Sequence, residues 1–227
     1  MTRHWVARPP PPGHNDGVTD GLSEEQLATL RAAQAADPTS VRTFVPVAPE
    51  ERPRRSRRTA RVLLVDDRDR TLLFRDSDPG LPGSTWWMTP GGGIDPGETD
   101  LAAAVRELEE ESGLRVEEGD LLGPLLVRTV VHGYTDVVIE QEDVFYACWV
   151  RAFEVSDAGH TEEERITMAD HRWWSRDELA ATEEEIWPAV LLGLWADADV
   201  RRREAAAGEP PRPPADGGRV EESTVPA

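Results

Sequence analysis

The alternation of apolar and polar residues predicts several short β-strands in the first half of the chain. Apolar runs at 61–65 and 71–74 flank the polar sequence DDRDR, and a third strand is expected at 85–89. Glycine and proline interrupt the pattern over 90–97, which predicts a loop. These strands open a folded domain whose start we place at residue 59.

A helical period follows this loop directly. Leu101, Val105 and Leu108 are spaced four and three residues apart, so they share one face of a helix over 99–112. Gly113 comes next, and glycine readily adopts the left-handed conformation that ends a helix. The pattern therefore predicts an amphipathic helix with a defined end.

The second half of the chain predicts a long hairpin followed by a strand and a helix. Apolar segments at 125–132 and 137–150 flank the sequence GYTD, a short strand is expected at 172–175, and a helix is expected at 184–200. Strands that alternate with helices predict one layered α/β domain over 59–200.

Both ends of the chain differ in composition from this domain. Residues 1–58 form an N-terminal extension in which 1–20 are rich in Pro and Gly and are expected to be disordered. A capping box at Ser23 predicts a short helix over 23–36. Residues 201–227 are again rich in Arg, Pro, Gly and Ala, and are expected to form a disordered C-terminal tail.

The Arg-rich sequence RPRRSRR at 52–58 joins the extension to the domain. A solvated junction before the first strand is the simpler interpretation. Contact with substrate phosphates or with an acidic partner is the alternative.

Composition restricts the class of protein. Cys148 is the single cysteine among 227 residues, so neither an internal disulfide nor a Cys/His zinc site is expected. No apolar run approaches the roughly 20 residues that span a bilayer, and the first residues lack the apolar segment of a secretory signal. We expect a cytoplasmic protein without a membrane partner.

The charge of the chain is strongly negative and unevenly distributed. The formal net charge is -19; nine Arg against seven acidic residues give residues 1–58 a charge of +2, so the remainder carries -21. Such an acidic body disfavours a nucleic-acid polymer as partner. A small phosphorylated substrate can still bind if divalent cations lie between it and the carboxylates.

Three glutamates on the predicted helix form the first candidate site. Glu107, Glu110 and Glu111 lie at i, i+3 and i+4, which puts their Cβ atoms within about 6 Å of one another. We expect no cationic side chain at the neighbouring positions of that face, so a hard cation such as Mg²⁺ or Mn²⁺ is one way to neutralise the cluster. An ordinary solvated acidic face is the alternative.

The residues around this helix favour the metal-binding interpretation. Glycines at 91–93 allow the backbone to approach a ligand, and the turn at 96–97 presents Glu98 at the entry to the helix. Arg106 is placed to reach back to the Glu98 carboxylate. Loop and helix together predict a rigid scaffold for several carboxylates, as multi-metal chemistry requires.

Residues 92–114 resemble the signature of the Nudix hydrolases, G-x5-E-x7-R-E-U-x-E-E-x-G-U, in which U is a bulky aliphatic residue. All specified positions match without a gap: Gly92, Glu98, Arg106, Glu107, Leu108, Glu110, Glu111, Gly113 and Leu114. Chance alone gives such a match in about a few chains per million. The resemblance implies an α/β/α sandwich with a mixed β-sheet and a loop–helix–loop catalytic motif.

The resemblance also implies an activity. Nudix hydrolases are metal-dependent pyrophosphohydrolases in which water attacks phosphorus, here in a nucleoside diphosphate derivative (nucleotide sugar or ADP-ribose type) or a nucleoside triphosphate. The implied ligands of Mg²⁺, or of Mn²⁺, are Glu107, Glu110, Glu111 and the carbonyl of Gly91. Glu98 and Arg106 are implied to position the catalytic groups, Glu110 is also a catalytic candidate, and a homodimer is common in the family.

The general base and the substrate contacts stay open on the sequence. Glu142, on the second strand of the hairpin, is a candidate ligand or base, and a polar strand edge is the alternative. Arg75 is a candidate phosphate contact, and Trp87 is a candidate for stacking on a nucleobase, with core packing as its alternative. Gly92 and Gly93 are expected to approach the substrate.

Two other classes of function are compatible with the chain. One is a non-catalytic nucleotide-sensing module on the same fold, which the intact signature disfavours. The other is an interaction protein built on the Arg-rich linker and the Pro-rich ends, which deletion of residues 1–58 would separate from the enzyme.

Overall fold

A nine-stranded mixed sheet forms the centre of the part of the chain that the computed structural model describes, which is residues 42–227 with the isolated positions Glu24 and Ala28. Glu24 and Ala28 are helical. The rest of the helix expected at 23–36, and the disorder expected at 1–20, lie outside the described residues. No helix within the described ranges is long and apolar enough to cross a membrane.

The strands follow one another in the order β8-β3-β2-β1-β6-β5-β9, with β4 paired to β1 and β7 paired to β2. The strands are β1 (Arg54–Val65), β2 (Arg70–Ser77), β3 (Thr85–Met88), β4 (Gly91–Gly93), β5 (Leu122–Gly133), β6 (Val138–Trp149), β7 (Asp170–Ser175), β8 (Ile186–Trp187) and β9 (Ala215–Glu221). The helices are α1 (Asp100–Ser112), α2 (Glu164–Thr167), α3 (Arg176–Ala181) and α4 (Leu191–Ala206). The central pair, β1 and β6, is parallel, whereas β5 and β6 form the predicted antiparallel hairpin.

Helices cover both faces of the sheet. Leu108 of α1 packs on one face with Leu64, whereas Leu194 and Trp195 of α4 pack on the other face with Leu63. Successive residues of β1 point to opposite faces, so one strand supplies both layers. Each fully buried leucine stabilises the fold by about 2 kcal/mol. The arrangement confirms the predicted α/β/α sandwich.

Helix α1 begins and ends where the sequence predicts. The Thr99 hydroxyl accepts a hydrogen bond from the Ala102 amide at 3.1 Å, which caps the first turn. Gly113 has φ 73°, and its N–H donates to the Glu109 carbonyl at 2.9 Å. Both signals are local in sequence, which is why the boundary of this helix was predictable.

The Arg-rich segment is largely exposed, as a solvated junction would be, but it belongs to the first strand and is not a junction before it. Residues 54–58 form the first half of β1 and pair in parallel with residues 138–142 of β6. The pairing is accompanied by cross-strand polar contacts; the Nε of Arg57 donates to the Oε1 of Gln141 at 2.7 Å. The sheet therefore begins before residue 59.

The expectation of a disordered tail at 201–227 is also wrong. Helix α4 continues to Ala206, and β9 pairs in parallel with β5 at the edge of the sheet. Just beyond β9, the buried Glu222 accepts hydrogen bonds from both Nη atoms of Arg128, each at 2.7 Å. An open sheet edge and this ion pair order a segment whose composition alone indicates disorder.

The helix expected at 184–200 starts later than predicted. Residues Ile186–Trp187 instead form β8, and the ring of Trp187 stacks on Trp86 with centroids 4.4 Å apart. Pro188 follows, and proline has no backbone N–H to donate within a helix. The helix therefore begins only at Leu191.

Candidate active site

The glycine loop holds backbone directly against two carboxylates of α1. The N–H of Gly91 donates to the Oε2 of Glu111 at 2.8 Å. A Cβ on Gly91 would lie 2.1 Å from the carbonyl oxygen of Ala60, and a Cβ on Gly92 would lie 2.6 Å from the Oε1 of Glu107. At Gly91, where the clash would be with backbone, only glycine permits this approach, so the loop and the helix form one compact site.

Three carboxylates converge beside this loop. Glu107, Glu111 and Glu164 each offer one oxygen, and these oxygens lie within 4.8 Å of one another; we call this group the carboxylate cluster. Glu107 is only 6% exposed and Glu111 only 4%. Burial raises the pKa of both carboxyls, and repulsion from Glu164 raises it further, although Arg106 opposes the rise at Glu107. A crowded, buried group of oxygen donors fits a hard divalent cation.

Arg106 organises the remaining acidic groups of the signature. Its Nε and Nη2 donate to the Glu98 carboxylate at 3.0 and 2.9 Å, which confirms the predicted contact. Its Nη1 donates to Glu107 at 2.8 Å and to Glu110 at 2.9 Å, and its Nη2 also donates to the Gly93 carbonyl at 2.7 Å. The expectation that the helix face lacks a neighbouring cation is wrong, because Arg106 lies four residues before Glu110.

The predicted trio of helix glutamates is rearranged. Glu107 and Glu111 belong to the carboxylate cluster, whereas the side chain of Glu110 is 44% exposed and bonded to Arg106. The third position of the cluster is taken by Glu164, which the sequence did not single out. Two of the three predicted ligands are thus brought together, and the third points toward solvent.

The loop between β6 and β7 carries Glu164 to the site by packing against the end of α1. The Nε2 of His160 lies 2.9 Å from the carbonyl oxygen of Glu111. A Cβ on Gly159 would lie 2.4 Å from the carbonyl oxygen of Glu110, so the loop backbone touches the helix backbone. These contacts join segments remote in sequence, which is why Glu164 was missed.

The carboxylate of Glu164 is itself held in place. The N–H and the hydroxyl of Thr161 donate to its Oε2 at 2.7 and 2.8 Å. The spacing Thr161-x-x-Glu164 is that of a capping box, the one local signal of this turn in the sequence. Such hydrogen bonds orient a ligand before it binds a cation.

Glu142 lies away from the carboxylate cluster. Its Oε1 accepts from the Nε of Arg58 at 2.8 Å, and the Nη2 of the same arginine donates to Asp100 at 3.1 Å. The Glu142 side chain is 46% exposed. Strand β6 is paired on both sides, so Glu142 is an exposed side chain within the sheet rather than at its edge, and the geometry gives no support to Glu142 as a ligand or base.

Trp87 lies in the core rather than at an open face. Its ring meets that of Trp174 edge-to-face with centroids 5.2 Å apart, and its Nε1 donates to Glu184 at 2.6 Å. Trp87 is therefore a core residue, and the expectation that it stacks on a nucleobase is wrong. Arg75 lies opposite Trp87 on β2, and its Nη2 donates to the Thr85 hydroxyl at 3.2 Å, so its contact with phosphate stays a prediction.

The region that contains these site residues is similar to known proteins. A family model described as NUDIX domain matches residues 55–192. The RNA pyrophosphohydrolase of Legionella pneumophila is 36% identical over 93 residues, which are 37% of this chain and 50% of that protein. Diphosphoinositol polyphosphate phosphohydrolase 2 of Mus musculus is 30% identical over 94 residues, which are 41% of this chain and 45% of that protein. The chain thus spans about half the length of the curated relatives it matches.

A solved structure gives a more distant likeness. The MutT protein from Methanosarcina mazei Go1 is 18% identical, covers 67% of this chain and 98% of its own, and superposes with a TM-score of 0.45. The family match is different, because it extends over more than half of the chain and includes the whole signature on α1 and its loop. The chain therefore belongs to the NUDIX family.

Proposed function

We propose that the protein is a divalent-metal-dependent pyrophosphohydrolase acting on a nucleoside diphosphate derivative or a nucleoside triphosphate. The observation that supports this most directly is the carboxylate cluster, in which Glu107, Glu111 and Glu164 present oxygens within 4.8 Å of one another beside the glycine loop. Mg²⁺ or Mn²⁺ is the cation that this donor set suits best. The Gly91 carbonyl stays a predicted further ligand.

Each residue of the site has a distinct task in this proposal. Glu107, Glu111 and Glu164 would hold the cation, which would neutralise pyrophosphate oxygens and lower the pKa of a bound water. Glu98 fixes the guanidinium of Arg106, and that guanidinium in turn fixes Glu110. Preorganised charges of this kind supply most of the rate in phosphoryl transfer.

In this proposal Glu110 accepts the proton of the attacking water. The water oxygen forms a bond to phosphorus while the bridging P–O bond breaks, and the bond pair leaves with the bridging oxygen. The proton of the attacking water passes to a carboxylate. Glu110 is the candidate acceptor, because it is solvent-exposed and held in position by Arg106 at 2.9 Å.

The substrate class is argued from charge and size. A net charge of -19 opposes a long polyanion and favours a small substrate bound through cations. Nucleotide sugars, ADP-ribose-like compounds and nucleoside triphosphates are the first candidates. Because matched relatives are named RNA pyrophosphohydrolase, a short RNA with a 5′-triphosphate belongs in the same test.

The test is release of phosphate or of a nucleoside monophosphate from this panel, with Mg²⁺ and with Mn²⁺. We expect one compound class to be hydrolysed, and the activity to disappear with chelator and in Glu111→Gln. Glu109→Gln is the matched control, because Glu109 lies on the same helix but pairs with Arg115 at the surface. Ligand-induced thermal stabilisation without turnover across the panel would instead favour the nucleotide-sensing module.

A further inference from the structure

A buried ion pair joins the C-terminal segment to the central sheet. Glu222, just beyond β9, accepts from both Nη atoms of Arg128 at 2.7 Å, and the Nε of Arg128 donates to Asp143 at 2.9 Å. The side chains of Arg128 and Glu222 are only 5% and 7% exposed. In such surroundings a charged hydrogen bond is strong, and its geometry is tightly defined.

The same network continues to β1. Asp143 accepts from the Thr59 hydroxyl at 2.6 Å and from the Nε2 of Gln141 at 2.5 Å, and the Oε1 of Gln141 accepts from the Nε of Arg57 at 2.7 Å. A carboxylate only accepts and a guanidinium only donates, so the amide of Gln141 has one permitted orientation. We call Glu222, Arg128, Asp143 and Gln141 the positioning chain.

Arg57 lies at the end of the positioning chain, and among the described residues only its Nε is hydrogen-bonded. Its residue is exposed, and within the described part of the molecule no group accepts a hydrogen bond from its Nη atoms. A guanidinium fixed at Nε presents its remaining N–H groups in a defined direction, which suits the oxygens of a phosphate.

Arg57 lies on the face of β1 opposite α1, and it is related to the proposed catalytic centre through Arg61 and Glu163. It lies four residues before Arg61 on β1, about 13 Å along the strand, and on the same face. Arg61 pairs in register with Gly91 of the glycine loop. The charge of Arg57 interacts with that of Glu163, the neighbour of Glu164 in the carboxylate cluster.

We propose that Arg57 binds a phosphate group of the substrate and that Glu222 positions Arg57 through the positioning chain. This inference rests on the proposed function and adds to it a substrate contact outside the signature. Glu222 lies beyond the NUDIX match at 55–192, so a segment outside the family domain becomes part of the active site. Gln141 and Asp143 act by position, whereas Arg57 touches the ligand.

The test is equilibrium binding of α,β-methylene-ADP, a diphosphate that is not cleaved between its phosphates, to the full chain in Mg²⁺ by calorimetry. We expect Arg57→Ala to weaken binding about tenfold, the size of one charge-assisted contact. Glu222→Gln and Gln141→Leu should each weaken it about threefold. Glu221→Gln is the matched control, since Glu221 is exposed on β9, and it should bind as the wild type does.

Double variants distinguish a positioning chain from a general loss of structure. If Glu222 acts through Arg57, adding Glu222→Gln or Gln141→Leu to Arg57→Ala leaves the dissociation constant where Arg57→Ala alone puts it. A further weakening in the double variants would overturn the positioning role, and an unchanged affinity in Arg57→Ala would overturn the phosphate contact. Absence of binding by the wild type would overturn the inference as a whole.

Turnover measured on the panel separates this inference from the proposed function. Binding that depends on Arg57 without any hydrolysis would support the role of Arg57 and contradict the proposed hydrolase activity. Hydrolysis with the same KM in the wild type and in Arg57→Ala would support the proposed activity and contradict the phosphate contact of Arg57.

Discussion

Arginines and carboxylates meet in two parts of the molecule with opposite results. At the N-terminal edge, Asp136 accepts from the Nε and Nη2 of Arg42 and from the backbone N–H groups of Thr43 and Phe44, and Arg42 also bonds Asp78; we call Arg42, Asp78 and Asp136 the Arg42 clamp. Burial acts to raise the pKa of Asp136, but attraction to Arg42 together with the hydrogen bonds from Arg42, Phe44 and Thr43 outweighs it and holds that pKa below its usual value. In the carboxylate cluster the pKa values of Glu107 and Glu111 are raised.

The difference lies in the number of donors for each carboxylate. In the Arg42 clamp every carboxylate oxygen has hydrogen-bond donors, so the network stabilises the folded chain. In the carboxylate cluster Glu111 has one backbone donor and two acidic neighbours, so its charge is poorly compensated. Uncompensated carboxylates lower the stability of the folded chain, but their free oxygens can bind a cation.

Replacement of Glu111 gives the largest expected contrast. Glu111→Gln removes a cation ligand and should lower kcat/KM by about a thousandfold. It also relieves repulsion in the carboxylate cluster, so the metal-free variant should unfold with a free energy about 1 kcal/mol higher than that of the wild type. Kinetics and urea unfolding of the same preparation measure both. A loss of stability together with activity would show that Glu111 is mainly structural.

Replacement of Asp136 should lower stability and leave activity nearly unchanged, the reverse of the effect expected at Glu111. Asp136→Asn leaves Arg42 buried without its full charge partner, so stability should fall by about 3 kcal/mol and the Tm by about 6–12 °C. The kcat of the folded variant should change little. The matched control is Asp157→Asn at an exposed position, which should leave the Tm unaltered. An unchanged Tm in Asp136→Asn would contradict the role of the Arg42 clamp.

Acid should weaken the Arg42 clamp in a defined pH range. The pKa of Asp136 is lower in the folded chain than the ordinary value of about 3.9 in an unfolded one. Its stabilising contribution is therefore complete above that value and is lost as the pH falls through the folded pKa. The difference in unfolding free energy between wild type and Asp136→Asn should be constant from about pH 5 to 8 and shrink below about pH 4. A constant difference throughout would contradict this linkage.

The exposed pair of Arg58 and Glu142 belongs to neither group and should matter least. Glu142→Gln should change the stability by less than about 0.5 kcal/mol, because solvent screens an exposed ion pair. With no place in the carboxylate cluster, the variant should keep kcat/KM within about twofold, far less than the tenfold step of a lost catalytic contact. A tenfold fall in kcat at unchanged Tm would restore Glu142 as ligand or base.

Features governed by neighbouring residues were predictable from the sequence. The cap at Thr99, the apolar stripe and Gly113 define α1 without any distant contact. The contact of Arg106 with Glu98 also follows from the spacing along one loop and one helix. For this reason the central part of the site agreed with expectation.

Features governed by distant contacts were not predictable in this way. Glu164 reaches the carboxylate cluster only because the loop around His160 packs on α1. Strand β9 is ordered by pairing with β5 and by the Arg128–Glu222 ion pair, whose partners are 94 residues apart. Composition describes the tendency of a segment by itself, and it contains no information on a sheet edge elsewhere.

The most direct test of the carboxylate cluster as the catalytic centre is hydrolysis by Glu164→Gln over a range of Mg²⁺ concentrations. Glu162→Gln is the control, since that residue is exposed in the same loop and pairs only with Arg165 among the described residues. We expect Glu164→Gln to need about tenfold more Mg²⁺ for half-maximal rate, as the loss of a cation-site residue commonly causes, whereas Glu162→Gln should behave as the wild type. Equal Mg²⁺ dependence and equal rates in all three proteins would contradict this expectation.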